Sequence, residues 1–154
     1  MRIVSGQFRG RSLVAPQGQA TRPTSDRARQ ALFNVLEHAA WAEPLEGMRV
    51  IDLFAGSGAL GFEAMSRGAG FCLFVETDEG ARGVIRENAE AFGLFGSTRV
   101  HRRSAIDLGP RPGSVGDAFD LAFLDPPYGK GLGEQALTRL VADGWLKPGA
   151  LVVY

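Results

Sequence analysis

Residues 52–61 read Asp-Leu-Phe-Ala-Gly-Ser-Gly-Ala-Leu-Gly and contain a G-x-G-x-x-G pattern that begins at Gly56, directly after an apolar run. A glycine loop of this kind lets the backbone approach a ligand, and the helix that follows presents N–H groups at its N-terminus. Glu76 lies twenty residues beyond Gly56, where a carboxylate can accept hydrogen bonds from ribose hydroxyls. Dinucleotides and S-adenosylmethionine both contain such a ribose, so these residues predict a nucleoside cofactor without identifying it.

Asp52 distinguishes the two cofactors because it ends the apolar run just before the glycine turn. A carboxylate at this point would repel a pyrophosphate. It would attract the ammonium and sulfonium of S-adenosylmethionine, whose own carboxylate could still bind N–H groups of the turn. We therefore favour S-adenosylmethionine; the alternative without a ligand is a tight turn that serves only helix packing.

A second motif, Asp125-Pro126-Pro127-Tyr128, follows another apolar run. Two prolines stiffen the turn and donate no N–H, so the Asp125 carboxylate and the Pro126 carbonyl form a pair of acceptors. Such a pair can accept both N–H groups of an exocyclic amine and leave the nitrogen lone pair facing a methyl group. Tyr128 offers an aromatic face to an unstacked base. The motif favours methylation of a nucleobase amine over a proline-rich turn with a packed tyrosine.

Charge is unevenly distributed, although the net charge of the chain is zero. The first thirty residues carry six arginines and one acid, Asp26, which gives 6 − 1 = +5. Arginine binds phosphate bidentately, so this excess indicates an anionic partner such as a nucleic acid; the alternative is a solvated charged surface. The six are Arg2, Arg9, Arg11, Arg22, Arg27 and Arg29.

Strands and helices that would position these motifs alternate along the chain. Apolar runs at 48–54, 71–76, 98–102, 119–125 and 150–154 predict strands, and helical patterns at 59–67, 78–92 and 133–143 connect several of them. A hairpin at 2–4 and 12–14, with arginines near its turn, and a helix capped by Thr24 or Ser25 that runs to about Ala40 come first. The predicted fold is a doubly wound α/β sheet with ligands at the carboxyl ends of its strands. The chain stops at Tyr154 in an apolar strand, so we expect the last strands of the fold to be missing.

Composition narrows the class of protein. A length of 154 residues predicts one domain. The single cysteine, Cys72, excludes a disulfide framework, and neither His38 nor His101 has metal-ligand spacing, so we expect no metal. Apolar runs are far shorter than the roughly 20 residues of a membrane helix, and the N-terminus lacks a signal-peptide core. We expect a cytoplasmic protein, monomeric by default.

The motifs together resemble class I S-adenosylmethionine-dependent methyltransferases that act on nucleobase amines; this likeness covers about residues 50–128 and includes DLFAGSG, Glu76 and DPPY. The stretches RIVSGQFRGRSL, RPTSDRARQALFN and DLFAGSGALGFEA are similar to the bacterial 16S ribosomal RNA guanine-N2 methyltransferase family, a match across nearly the whole chain. The resemblance implies a Rossmann-like fold and methylation of a guanine N2 amine in 16S ribosomal RNA of the small ribosomal subunit. It also implies an RNA-contacting hairpin and helix at 1–44 and a catalytic core at 45–154.

Site residues follow from the same resemblance. It implies cofactor binding by Asp52, Phe54, Ala55, Gly56, Gly58, Glu76 and Thr77, with Ser104 and Ala105 reading the adenine. It implies catalysis by Asp125, Pro126, Pro127 and Tyr128, and RNA binding by Arg9, Arg11, Arg22, Pro23, Thr24, Arg27 and Arg29. Many relatives have Asp or Asn at the position of Ser104.

Three other functions fit parts of the pattern. An adenine-N6 methyltransferase of DNA or RNA would also use the Asp-Pro-Pro-Tyr motif. A non-catalytic module could bind S-adenosylmethionine or RNA, although the intact motif argues against it. A nicotinamide-dependent oxidoreductase would use the glycine pattern, but Asp52 and the lack of a substrate domain argue against it.

Overall fold

A parallel sheet of five strands forms the centre of the computed structural model, which describes residues 1–15, 25–126 and 131–154. The strand order is β3-β2-β1-β4-β5, so the order reverses at β1, and the crevice between the ends of β1 and its neighbours is where such sheets bind ligands. The strands are β1 Arg49–Leu53, β2 Phe71–Val75, β3 Thr98–His101, β4 Phe119–Leu124 and β5 Leu146–Val153. This architecture confirms the predicted doubly wound α/β class.

Apolar residues fill both faces of the sheet, because each face is covered by other elements of the chain. Val50, Phe74 and Phe123 belong to one buried cluster, which contains Phe33 and Phe62 from the helices. Ile51, Leu73 and Ala122 belong to a second cluster, which contains Leu140 and Trp145. Burial on both faces explains why the strands appear in the sequence as continuous apolar runs rather than alternating ones.

Four α-helices occur in the described part of the chain: α1 Asp26–His38, α2 Ala59–Ser66, α3 Glu79–Ala91 and α4 Leu132–Ala142. Ser25 caps α1 by accepting a hydrogen bond from the Ala28 N–H at 3.0 Å, and Asp78 caps α3 through the Ala81 N–H at 2.8 Å. The predicted boundaries differ by one or two residues because capping residues lie just outside the helix. None of these helices is long and apolar enough to cross a bilayer.

The last strand begins earlier than the sequence predicts. β5 starts at Leu146 and not at 150, with an irregular register between Phe119 and Leu121 of β4. Pro148-Gly149 is a turn signal in the sequence, and Gly149 has a φ of 78°. Pairing with β4 incorporates these two residues into the strand at the cost of a local irregularity.

The predicted hairpin forms a minimal antiparallel bridge between Arg2 and Ser12. Ile3 N–H donates to the Arg11 carbonyl at 2.9 Å, and Leu13 N–H donates to the Met1 carbonyl at 2.9 Å. Further N–H groups of this segment bond to side chains elsewhere. Phe8 N–H donates to Ser66 Oγ of α2 at 2.9 Å and Val14 N–H to Asn88 Oδ1 of α3 at 2.9 Å. The hairpin is therefore docked on two helices.

Glu63 of α2 makes the most buried of these connections, since its side chain is fully inaccessible. Its carboxylate accepts the N–H groups of Val4 at 3.0 Å and Ser5 at 3.1 Å, and pairs with Arg67 Nε at 3.0 Å. Arg29 of α1 is also fully buried, with Nε 3.6 Å from Glu63 and Nη2 2.7 Å from Asp26. The cluster joins the hairpin, α1 and α2.

The crossover from β3 to β4 contains only a short 3-10 turn, Gly113–Val115. Backbone carbonyls in such an irregular segment lack the regular partners that a helix or a sheet provides. Arg49 donates to the carbonyls of Val115 at 2.5 Å and Asp117 at 3.1 Å, and Arg99 to that of Ser114 at 2.5 Å. Arginine side chains thus provide the hydrogen bonds that a crossover helix would otherwise make internally.

The third glycine of the motif, Gly61, allows α2 to lie close to the sheet. A Cβ at this position would be 2.4 Å from Cε1 of Phe74 and 2.7 Å from Sγ of Cys72, both on β2. A contact this short requires the strand or the helix to move. Helix–sheet packing therefore selects glycine here.

We expect Gly61→Ala to lower the free energy of unfolding by about 1–3 kcal/mol through overpacking. Urea unfolding measures the change. The matched control is Gly83→Ala in α3, where nothing lies within 4 Å of the added Cβ; it should be neutral or stabilising by up to about 1 kcal/mol. Equal effects of the two substitutions would contradict the packing argument.

Candidate functional site

The glycine loop joins β1 to α2 through a run of left-handed backbone. Phe54, Gly56 and Gly58 have φ values of 56°, 58° and 80°. A positive φ is uncommon for a bulky residue such as Phe54 and often marks a functional site. Phe54 is held in place by packing against the second apolar cluster, and the Ala55 N–H donates to the Val75 carbonyl at 3.1 Å. The surrounding structure thus fixes the strained turn.

Glu76 lies just past β2 and joins the loop to the next turn. Its Oε1 accepts the Gly56 N–H at 2.7 Å, and its Oε2 accepts the Asp78 N–H at 2.9 Å. Gly58 N–H donates to the Ala55 carbonyl at 2.8 Å, so these two loop N–H groups, which we expected a ligand to use, have acceptors within the protein. Each Glu76 oxygen can accept a second hydrogen bond, which leaves the carboxylate capable of binding a ribose.

Arg82 of α3 is a positioning residue that the sequence reasoning missed. It is 7% exposed, and its Nη1 donates to the Thr77 carbonyl at 2.5 Å and the Glu76 carbonyl at 3.5 Å. These contacts orient the turn that presents Glu76 and Thr77. An available signal was an arginine on the helix face that carries the buried Ala81 and Ile85.

Asp52 is the penultimate residue of β1 and only 2% exposed, and its Oδ2 accepts the Gly61 N–H at 3.1 Å. Burial raises the pKa of Asp52 well above that of an ordinary aspartate; the Gly61 N–H opposes this, and the charges of Asp125 and Glu76 add to it. These three carboxylates form an acidic pole at the carboxyl ends of β1, β2 and β4. A cationic ligand would stabilise the ionised form of this pole.

Asp125 and Pro126 follow β4 next to β1, since Leu53 pairs with Leu124 in the sheet. Both residues are half-buried. Ser104 and Ala105 lie beyond β3; Ala105 is buried and Ser104 Oγ accepts the Ile106 N–H at 3.4 Å. The fold brings Asp125, Pro126 and the predicted cofactor residues to one edge of the sheet. Pro127 and Tyr128 lie outside the described residues.

The arginines predicted to bind RNA lie in different environments. The guanidinium groups of Arg9 and Arg27 are exposed and make no hydrogen bond or ion pair within the described part of the chain. Arg11 donates to the Ala91 carbonyl at 2.7 Å and lies 4.8 Å from the Phe92 ring. Arg29 is fully buried, which corrects the expectation that its guanidinium lies at the surface. Arg22, Pro23 and Thr24 lie outside the described residues.

A cavity of about 330 Å³ opens beside Asp125. It lies among α1, the first turn of α2 and the ends of β4 and β5. The sequence reasoning did not predict it, because the elements that enclose it are distant in the chain. It is lined by Ser25, Ala28, Leu32, Leu60, Phe123, Leu124, Asp125, Val153 and Tyr154.

Across residues 1–15, 25–126 and 131–154, no three side chains of His, Cys, Asp or Glu are placed to hold a metal ion together.

The burial of Asp52 predicts a pH-dependent stability for the protein without ligand. Because its pKa is raised on folding, the folded state binds the proton more tightly than the unfolded chain does. Stability therefore falls as pH rises from about 4, the ordinary aspartate pKa, toward the raised value. Asp52→Asn removes this loss. The free energy of unfolding of the variant, measured in urea relative to that of the wild type, should therefore increase between pH 4.5 and pH 8.

The control is Asp117→Asn, which changes an exposed aspartate near the start of β4. Its stability relative to the wild type should not follow the same pH dependence. A gap that stays constant with pH for Asp52→Asn would contradict the raised pKa.

Comparison with known proteins identifies the family. The whole chain, residues 1–154, matches the family described as Conserved hypothetical protein 95. It is 37% identical to ribosomal RNA small subunit methyltransferase D of Haemophilus influenzae, covering 99% of this chain and 76% of that protein. It is 36% identical to the protein of the same name in Escherichia coli K12, covering 99% and 72%.

Solved structures agree with this result. The Escherichia coli protein yhhF superposes with a TM-score of 0.83 at 36% identity, covering 99% of this chain and 78% of that one. The protein therefore belongs to the Conserved hypothetical protein 95 family, the ribosomal RNA small subunit methyltransferase D family, and has the class I methyltransferase fold.

Proposed function

We propose that the protein transfers the methyl group of S-adenosylmethionine to the N2 amine of a guanine in 16S ribosomal RNA. The observation that carries this proposal is the position of Asp125-Pro126 at the end of β4, where Asp125 belongs to the same acidic pole as Asp52 and Glu76. A pair of acceptors for an amine thus lies next to a site suited to a cationic methyl donor. The names of the relatives support ribosomal RNA of the small subunit as the substrate.

The residues present fit the cofactor. Burial raises the pKa of Asp52, and the charges of Asp125 and Glu76 add to this effect. The ammonium and sulfonium of S-adenosylmethionine would compensate the charge of the ionised carboxylate. Glu76 would accept the ribose hydroxyls, with Ser104 and Ala105 beside the adenine. Phe54, Ala55, Gly56, Gly58 and Thr77 would surround the remainder. When bound, S-adenosylmethionine supplies a methyl group on a sulfonium that leaves as a neutral thioether, so the transfer requires no metal.

Asp125 and Pro126 orient the substrate amine. The Asp125 carboxylate and the Pro126 carbonyl accept its two N–H groups, which fixes the nitrogen so that its lone pair points toward the methyl donor. Positive charge develops on the nitrogen during the transfer, and the nearby carboxylate stabilises it. Asp125 then accepts the amine proton, directly or through water. Tyr128 would stack on the base.

The N-terminal segment, residues 1–44, supplies the RNA contacts in this proposal. Arg9 in the hairpin and Arg27 in the first turn of α1 expose guanidinium groups suited to phosphate oxygens. Arg11, Arg22 and Thr24 complete the set implied by the resemblance. Such a small surface can contact only a short stretch of RNA, so the folded ribosomal subunit would contribute to selecting the target guanine.

We expect Asp125→Ala to lower methyl transfer by about 10²–10⁴-fold, with little change in the affinity for S-adenosylmethionine. The assay uses labelled-methyl S-adenosylmethionine with small ribosomal subunits that lack the modification, followed by digestion and identification of the labelled nucleoside. The control is Asp117→Ala, an exposed aspartate near the opposite end of β4, which should remain active.

The labelled nucleoside decides among the candidate functions. N2-methylguanosine supports the proposal. N6-methyladenosine would keep the fold and cofactor but replace the substrate base. Normal turnover by Asp125→Ala would remove its catalytic role, and no label with the wild type would favour a binding module.

Replacing Arg9 and Arg27 together by Gln should weaken RNA binding, because each arginine neutralises a phosphate of the RNA. The slope of log affinity against log salt should fall by about 0.7–0.9 for every phosphate that is no longer neutralised. Binding to a fragment of 16S ribosomal RNA at several salt concentrations measures the slope. The control is Arg86→Gln, an exposed arginine on α3, which should leave the slope unchanged. An unchanged slope in the double variant would exclude these two arginines as phosphate ligands.

A further inference from the structure

A strip of arginines lies along the outer edge of the sheet, at β3 and in the crossover to β4. Residues 99–111 contain four arginines and one acid, Asp107, so their charge is 4 − 1 = +3. The first thirty residues carry +5, which leaves 0 − 5 − 3 = −8 on the rest of the chain. Positive charge is thus concentrated in the N-terminal segment and in this edge strip, which consists of Arg99, Arg102, Arg103 and Arg111.

Backbone carbonyls hold several guanidinium groups of the edge strip in place. Arg103 Nη1 donates to the Leu108 carbonyl at 3.1 Å, and Arg111 Nε donates to the Gly144 carbonyl at 2.8 Å. Arg102 is exposed and makes no hydrogen bond or ion pair within the described part of the chain. A guanidinium group has five N–H donors, so each of these side chains can still bind a phosphate, and those that are already oriented lose less freedom on binding.

Within residues 1–15, 25–126 and 131–154, no carboxylate pairs with an arginine of the edge strip. Burial lowers the pKa of His101, the last residue of β3, and the charges of Arg103 and Arg99 lower it further. Both guanidinium groups therefore lie near the same imidazole, and an anion would stabilise this group of like charges.

The edge strip lies across the catalytic crevice from α1. The strand order β3-β2-β1-β4-β5 places the strip at one edge of the sheet, whereas Ala28 of α1 lines the cavity at the ends of β4 and β5. Arg27, the exposed arginine that we assign to RNA, precedes Ala28. Four strand spacings of about 4.8 Å separate β3 from β5, which gives about 19 Å. Several nucleotides of one RNA segment would cover this distance.

Two other roles do not account for the edge strip. Charged side chains on an edge strand prevent pairing with another chain, but either sign of charge has this effect, and the strip is predominantly positive. S-adenosylmethionine carries no phosphate, so the cofactor proposed beside Ser104 and Ala105 does not require these arginines. Arginine binds phosphate bidentately, so the composition of the strip suits a nucleic-acid backbone.

We propose that the edge strip is a second RNA-binding surface, which binds backbone phosphates of 16S ribosomal RNA on the side of the crevice opposite α1. This rests on the proposed function and extends it, because RNA is then contacted on both sides of the target base and not by residues 1–44 alone. Arg102 and Arg103 are the first two residues after β3, so they lie nearest to the catalytic edge. Arg99, near the start of β3, extends the surface toward the other end of the strand.

The test replaces Arg102 and Arg103 together by Gln and measures binding to a protein-free fragment of 16S ribosomal RNA at several salt concentrations. We expect the slope of log affinity against log salt to fall by about 0.7–0.9 for every phosphate that is no longer neutralised. Arg102→Gln alone should retain part of this effect with an unchanged thermal unfolding temperature, since its side chain makes no hydrogen bond or ion pair within the described residues. The control is Arg139→Gln, an exposed arginine on α4, which should leave the slope unchanged.

A combined variant shows whether both surfaces bind RNA at once. When Arg9, Arg27, Arg102 and Arg103 are all replaced by Gln, the decreases in slope should add, because each surface neutralises different phosphates. A decrease no larger than that of either pair would mean that both pairs contact the same phosphates, which would contradict a second surface. The affinity for S-adenosylmethionine should be unchanged in every variant.

The proposal and the proposed function can fail separately. An unchanged slope for the double variant of Arg102 and Arg103 would exclude the edge strip as an RNA surface, and N2-methylguanosine formed by the wild type would then leave the proposed function intact. Weaker binding to assembled small subunits, without any change toward protein-free RNA, would assign the strip to an acidic protein and overturn the proposal. If the slope falls but the wild type labels no guanine, the strip remains an RNA surface while the proposed methyl transfer fails.

Discussion

The buried carboxylate of Glu63 connects parts of the chain that are far apart in sequence. It accepts backbone N–H groups of the hairpin at Val4 and Ser5, and it pairs with Arg67 of α2 and Arg29 of α1. Charges removed from water are tolerated in a fold only when each is paired, so loss of one member would leave the others buried and uncompensated. The position of α1 depends on this cluster. Both the cavity beside Asp125 and the exposed Arg27 depend in turn on the position of α1.

The acidic pole is a second cluster of charged residues. It brings like charges together, whereas the Glu63 cluster pairs opposite ones. Asp52 lies near the end of β1, and Glu76 and Asp125 follow the adjacent parallel strands β2 and β4, which brings like charges together at one edge of the sheet. This arrangement destabilises the ligand-free protein and favours a cationic ligand. The Glu63 cluster thus holds the framework together, whereas the acidic pole keeps electrostatic strain at the place where a ligand can relieve it.

The chemical motifs could be placed from the sequence because each lies at the end of a well-marked element. Asp52 and Asp125 follow continuous apolar runs, and such runs in alternation with helices specify a parallel sheet. Their carboxyl ends must then lie at the same edge. Ser25 was one of two residues predicted to cap α1, and Asp78, predicted as the first residue of its helix, caps α3. The start of β5 was predicted four residues too late, since pairing with β4 outweighed the turn preference of Pro148 and Gly149.

The sequence by itself determined the order of the elements, the end of the sheet that binds ligands and the types of residue found there. These depend on interactions between neighbours in the chain, so they can be inferred from spacing and composition. Only the tertiary structure decided that Arg29 is buried, that Arg11 packs on Phe92, that Arg82 orients the turn after β2, and that α1 encloses a cavity. An arginine has the same charge at the surface and in the core, and its environment depends on carboxylates, carbonyls and rings contributed by distant segments.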